Sequence, residues 1–128
     1  MVYCKKQRDK IQKVRFSIWN LFKHAEICEM PVIFHIGHTN GDYGLIDEYG
    51  LPRLEKTLQQ FPKLKFLAHS QRFWSHISGD ITEETYHGYP EGPVVPGGRI
   101  VELMRKYPNL CGAPGRSQFI FSEIKNMK

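Results

Sequence analysis

A chain of 128 residues, 41% hydrophobic and 24% charged, has the make-up of one modest globular domain and excludes wholesale disorder. No apolar run approaches the ~20 residues of a bilayer-spanning helix, and no apolar signal-like stretch stands near residue 1, so neither a membrane nor a secretory route is expected. The net charge of +5 is local: Lys5, Lys6, Arg8, Lys10, Lys13 and Arg15 oppose only Asp9, leaving twelve basic and twelve acidic residues in the remainder.

That distribution predicts a solvated basic flank over 1–12. No aromatic platform accompanies the charge, so no specific nucleic-acid surface is expected. Cys4, Cys28 and Cys111 are odd in number and far apart, which excludes a disulfide framework and a Cys-x-x-Cys zinc knuckle. Free thiols of this kind point to a reducing, cytoplasmic setting.

From Val14 the apolar spacing becomes helical, with Val14, Ile18, Leu21, Phe22, Ala25 and Cys28 on one stripe. Pro31 is expected to end that helix. Val32-Ile33-Phe34 then runs into His35, and Gly37 breaks the pattern. A continuous apolar run bounded by turn residues reads as a strand buried in a parallel sheet. A histidine at its C-terminal end stands where parallel α/β folds place their chemistry. Gly37–Gly50 is a loop with a strong Asn40-Gly41 turn, and it contains His38 and Asp42.

Leu51–Phe61 is the next predicted helix, with Pro52 suited to its first turn and Pro62 beyond its end. Leu64–Ala68 repeats the strand design and ends in His69. Ser70–Pro96 reads as one long loop whose aromatic content predicts packing rather than disorder. Within it, Arg72, Phe73 and Trp74 could line a pocket with an apolar wall and one cation for a carboxylate. Asp80 could orient a histidine, and His76 and His87 read as surface loop residues. Gly97–Tyr107 is a third helix, and Asn109–Gly112 starts a third strand.

An internal echo runs at an offset of 46: Arg53, Leu54, Leu58, Phe61, Pro62 and Leu64 match Arg99, Ile100, Met104, Tyr107, Pro108 and Leu110. Repeated helix–strand units with short αβ links and long βα loops indicate a (β/α) barrel or an open parallel sheet. Ala113-Pro114-Gly115 breaks the pattern, so 113–128 reads as an atypical tail. Three parallel strands would leave edges open, which predicts a piece of a larger fold and leaves room for self-association through those edges.

Four segments carry a family resemblance: Pro31-Val32-Ile33-Phe34-His35, Leu51-Pro52-Arg53-Leu54-Glu55, Phe61-Pro62-Lys63-Leu64-Lys65-Phe66-Leu67-Ala68-His69 and Tyr107-Pro108-Asn109-Leu110. In order and spacing they resemble the amidohydrolase-related metal-dependent hydrolases, including decarboxylases related to aminocarboxymuconate semialdehyde decarboxylase. The resemblance implies a partial (β/α)8 TIM-barrel-like fragment over 13–112, with about three parallel strands and three helices. It implies a divalent metal ion, with zinc the expected one, held in part by His35. It implies His69 as the catalytic residue that polarises or activates water or substrate, and a small organic substrate whose hydrolysis or decarboxylation the whole site would carry out. His38, Arg72 and Trp74 are the residues expected to touch that substrate. The family's His-x-His pair does not occur here, so the ligand set is incomplete and the chain is not expected to turn over substrate alone. An inactive fragment that docks to another protein through its strand edges is the alternative.

Overall fold

The computed structural model describes residues 17–37, 45–88, 90 and 92–113. The expected basic flank over 1–12, His38, Asp42 and nearly all of the expected tail over 113–128 lie outside the described residues.

Helix α1 covers residues 17–27. Its inward direction is narrower than the sequence stripe: Phe22 is buried, Ile18 and Ala25 are partly so, while Leu21 and Cys28 are exposed. The helix stops before Pro31. Glu29 adopts a left-handed φ of 54°. Glu29 N donates to Glu26 O at 3.2 Å and Met30 N to Ala25 O at 2.9 Å, the paired bonds of a Schellman ending.

Strands β1 (Val32–Gly37), β3 (Phe66–His69) and β4 (Leu110–Gly112) form a three-strand parallel sheet in the order β1-β3-β4. A two-residue strand β2 (Leu45–Ile46) adds in parallel to the outer edge of β1. It falls inside the stretch that reads as loop from sequence, because two residues are too few to carry a period. The molecule is mixed α/β, as expected.

Side chains alternate across each strand. Phe34, Ile36, Phe66, Ala68 and Leu110 point to one face and are buried under the helices. Phe22 seals that face with edge-on contacts to Phe61 and Phe66, both at 5.5 Å between ring centroids. The opposite face carries Ile33, His35, Leu67, His69 and Cys111. Ile33 there is 67% exposed.

Helix α2 (Pro52–Gln60) buries Leu54 and Leu58, and helix α4 (Arg99–Lys106) buries Ile100 and Leu103. The sequence echo is thus structural as far as the helix ends. In the strands β4 sets Leu110 beside Phe66, not beside its echo counterpart Leu64. Asn109 explains why a Pro-Asn-Leu turn follows α4: its buried Nδ2 donates to Leu58 O and Phe61 O, satisfying carbonyls at the end of α2.

The stretch 70–96 is not one loop. Helix α3 (Gln71–Ser75) starts at once after β3, and its five residues are too short to read from periodicity. The rest returns over α3 to a close approach at Gly98, where an added Cβ would stand 1.8 Å from Ile77 O. Only glycine fits there, so α4 can dock against the end of α3.

Glu55 ties α2 to α4. Lys106 Nζ and Tyr107 Oη each donate to its Oε1 at 2.9 Å, and Arg99 Nη2 donates to its Oε2. Lys106, then Tyr107 and Arg99, hold the carboxyl down at about 2, below its ordinary 4.5. A depressed acid stabilises the fold fully above 4.5, and that contribution is lost as pH falls toward about 2. Glu55→Gln should therefore lower the urea midpoint at pH 7, and its difference from wild type should shrink steadily between pH 4.5 and pH 2.

Candidate functional site

The parallel register sets His35 directly opposite His69. Both follow strand residues of the same parity, so both project from the uncovered face at the C-terminal end of the sheet. Their ring centroids are 4.9 Å apart, with planes inclined at 75°. Burial, and then the charge of His69, lowers the His35 pKa from its ordinary 6.5. His35 is thus a neutral imidazole at pH 7, with a ring nitrogen lone pair available to a proton or a metal.

Ser70 fixes the turn beyond the pair. Its backbone sits at φ 132°, a region that side chains rarely occupy. Its buried Oγ donates to Ile36 O at 2.6 Å and accepts from Phe73 N at 3.3 Å. One hydroxyl therefore clamps β3 to β1 just past the two histidines and caps α3. The strand-end His-Ser sequence is the signal that could have found it.

Of the residues expected to touch substrate, Arg72 and Trp74 both lie on α3 and are buried. Trp74 packs in the wall of the core. Its Nε1 donates to Ala113 O at 3.2 Å, and Gly112 gives its ring room, since a Cβ there would be 2.7 Å from Cη2. Arg72 lies under the long loop, with its Cζ 4.6 Å from the Tyr86 ring centroid. Its Nη2 donates to His87 Nδ1 at 2.9 Å. Among the described residues Asp80 orients no histidine. It accepts from Ser78 Oγ within its own turn.

His76 is a correction to the sequence reading. It is no surface residue but 2% exposed. Its Nε2 accepts from Gly50 N at 3.2 Å, which makes Nδ1 the protonated nitrogen, donating to Arg72 O at 2.7 Å. Its ring lies 5.7 Å from Tyr49 and 5.6 Å from Tyr86, an aromatic triangle that binds three segments remote in sequence. Asp47, also unforeseen, is a buried carboxylate. It accepts from the amides of Glu48, Arg53 and Leu54 and caps α2.

A groove of about 360 Å³ lies on the helix-covered side, walled by Ile18, Phe22, Phe34, Ile36, Leu54 and Phe66. Strand alternation puts it across the sheet from the histidines, so it is no part of their site.

A metal would find two imidazole donors at His35 and His69. Among the described residues no group of three or more His, Cys, Asp or Glu side chains could hold a metal ion. Cys111 shares the open face but pairs with Leu67, one pleat short of His69. Two imidazole nitrogen donors suit zinc, and they make half of a four-coordinate set.

No protein-family model matches the chain, and neither a curated protein nor a solved structure does. Among the described residues no helix is long and apolar enough to cross a membrane.

Burial lowers the His76 pKa from 6.5, only partly offset by the bond to Arg72 O. The unfolded chain therefore takes up the proton first, so stability is greatest above pH 6.5 and falls as pH drops below it. The melting temperature should decline as pH is lowered from 7 to 5, and His76→Gln should flatten that decline while lowering stability at pH 7.

Proposed function

We propose that this chain supplies the two-histidine part of a metal-dependent hydrolase or decarboxylase site of the amidohydrolase-related type, within a (β/α)8-like barrel. The observation that carries the reading is the pairing of His35 with His69 in register, on one face, at the C-terminal ends of adjacent parallel strands. In α/β barrels that end and that inward face are where catalytic side chains gather. Helices on one face only, with an open apolar face opposite, is the layering that one arc of such a barrel has.

His35 serves as the metal ligand. It would hold a divalent cation, which would supply Lewis-acid polarisation of a carbonyl, a carboxylate or water. His69, on the next strand, holds or delivers a proton at the same mouth. Ser70 keeps the two strands at fixed spacing, which such a pair requires because an ångström of slack is costly in rate. The chain contributes only part of the ligand set, so turnover belongs to the assembled site.

Titrating Zn²⁺ into the chain at pH 7.5 and following the imidazole proton resonances tests this. His35 and His69 should shift together while buried His76 stays in place. His35→Ala should weaken the apparent affinity at least roughly tenfold. If His69 responds alike in His35→Ala, the metal assignment is wrong.

Ile33 favours a second reading. It is 67% exposed beside His35, on a face that parallel sheets normally cover. Such a chain could associate through its open face or strand edges without catalysing anything. Sedimentation velocity at micromolar concentration separates the two: this reading requires a dimer or larger species in the absence of metal, and a metal-free monomer argues against it.

A further inference from the structure

His76 sits where three separate segments meet the end of α3, and both of its ring nitrogens are committed. Nε2 accepts from Gly50 N at 3.2 Å, and Nδ1 donates to Arg72 O at 2.7 Å. That arrangement holds only for a neutral ring. A proton added at Nε2 would set N–H against N–H, and a backbone amide nitrogen is no acceptor. His87 makes the same demand. Its Nδ1 accepts from Arg72 Nη2 at 2.9 Å, and a guanidinium is a donor only. A proton at that nitrogen would replace the bond with repulsion between two cations.

The segments that close over these rings are tied to each other. Tyr49 Oη donates to Ile81 O at 2.7 Å, and the Tyr49 and Tyr86 rings lie 5.7 Å apart. Tyr86 also meets the Arg72 guanidinium at 4.6 Å and the His87 ring at 4.4 Å. Residues 47–50 therefore leave α3 only by pulling 81–88 with them.

Arg72 does not oppose that opening. Its Nε and Nη1 are buried without a partner, and water would satisfy both. A guanidinium keeps its charge at any pH a protein survives, so the closed form already holds one cation out of water. Charging His76 or His87 beside it adds another. Of the other charged groups acting on His76, Asp47 favours the protonated ring and Arg99 opposes it. Asp47 already accepts from three backbone amides, and Arg99 is paired with Glu55 and Glu102.

We infer that His76 and His87 form an acid-operated latch: with both rings neutral, residues 47–50 and 81–88 are held on α3, and protonation releases them as one unit. Helix α3 starts two residues after His69, so the latch works at the end of the sheet that carries the histidine pair. It does not depend on the function proposed for that pair. Helices α2 and α4 keep their hold on the core through Leu54, Leu58, Ile100 and Leu103. The His76 pKa lies below its ordinary 6.5 in the closed form, so closure is favoured above 6.5 and weakens as pH falls below it.

Hydrogen exchange and ring resonances of the full chain, followed by NMR from pH 7 to pH 5, test this. After correction for the intrinsic pH dependence of exchange, the Gly50 amide should lose protection roughly tenfold per pH unit for each proton taken up on opening. The Tyr49 and Tyr86 rings should shift with the same midpoint, while the amides of Leu58 and Leu103 stay protected. His87→Gln, at an exposed position, should make the Gly50 dependence shallower by up to one proton. His76→Gln should remove most of it. Should that variant fail to fold, the wild-type imidazole decides: His76 must titrate at the midpoint of the Gly50 and Tyr86 changes. Loss of protection at Leu58 and Leu103 in step with Gly50 would mean global unfolding and overturn the latch. So would separate midpoints for Gly50 and Tyr86, or a Gly50 dependence that His87→Gln leaves unaltered.

Discussion

The ladder between β1 and β3 is the constraint on which the rest depends. It sets Val32 against Phe66 and, three steps on, His35 against His69. A slip of β1 by one residue would turn His35 under the helices and bring Phe34 into the open, and the same slip of β3 would exchange His69 and Ala68. Two things forbid that slip. Phe34 and Phe66 must stay on the helix side, where their rings meet at 5.9 Å and Phe22 closes over them. Ser70 Oγ, bonded to Ile36 O, fixes the end of the ladder at the histidines themselves.

The two ends of the sheet are built differently. At the N-terminal end, the short turn after α4 carries a polar tie, Asn109 on the α2 carbonyls, and along the helices Glu55 is gathered by Lys106, Tyr107 and Arg99. Among the described residues no buried side-chain donor or acceptor is left unmatched there, as a region serving stability requires. At the C-terminal end the local rules are broken. Ser70 takes a strained backbone, His35 and His69 sit ring to ring, and Arg72 is buried with donors unmet. Departures of this kind collect where a fold does chemistry, because a ligand can repay what the empty protein does not.

The faces divide in the same way. One side of the sheet is a close-packed apolar core with aromatic contacts on the edge. The other offers Ile33, Leu67 and Cys111 beneath the two imidazoles. A parallel sheet is seldom stable with one side bare. The open face is thus the common ground of the two functional readings, as a catalytic mouth completed by further strands or as a surface for association.

Local pattern in the chain specifies three of the strands, the two longer helices after them, and a histidine at the end of β3; β1 runs two residues past His35, to Gly37. Apolar periodicity and proline stops are local signals, and burial on one face is written into them. It could not show the five-residue α3, the two-residue β2 or the left-handed ending at Glu29 that follows α1, since each is shorter than one period or set by backbone bonds alone. The burial of His76 was also illegible, because its partners at Gly50, Tyr49 and Tyr86 come from other segments. That His35 and His69 are neighbours, and that Arg72 pairs with no acid among the described residues, follows from how the segments pack. Spacing along a chain fixes which way a side chain leaves its strand, whereas what it meets depends on which strands pair and in what register.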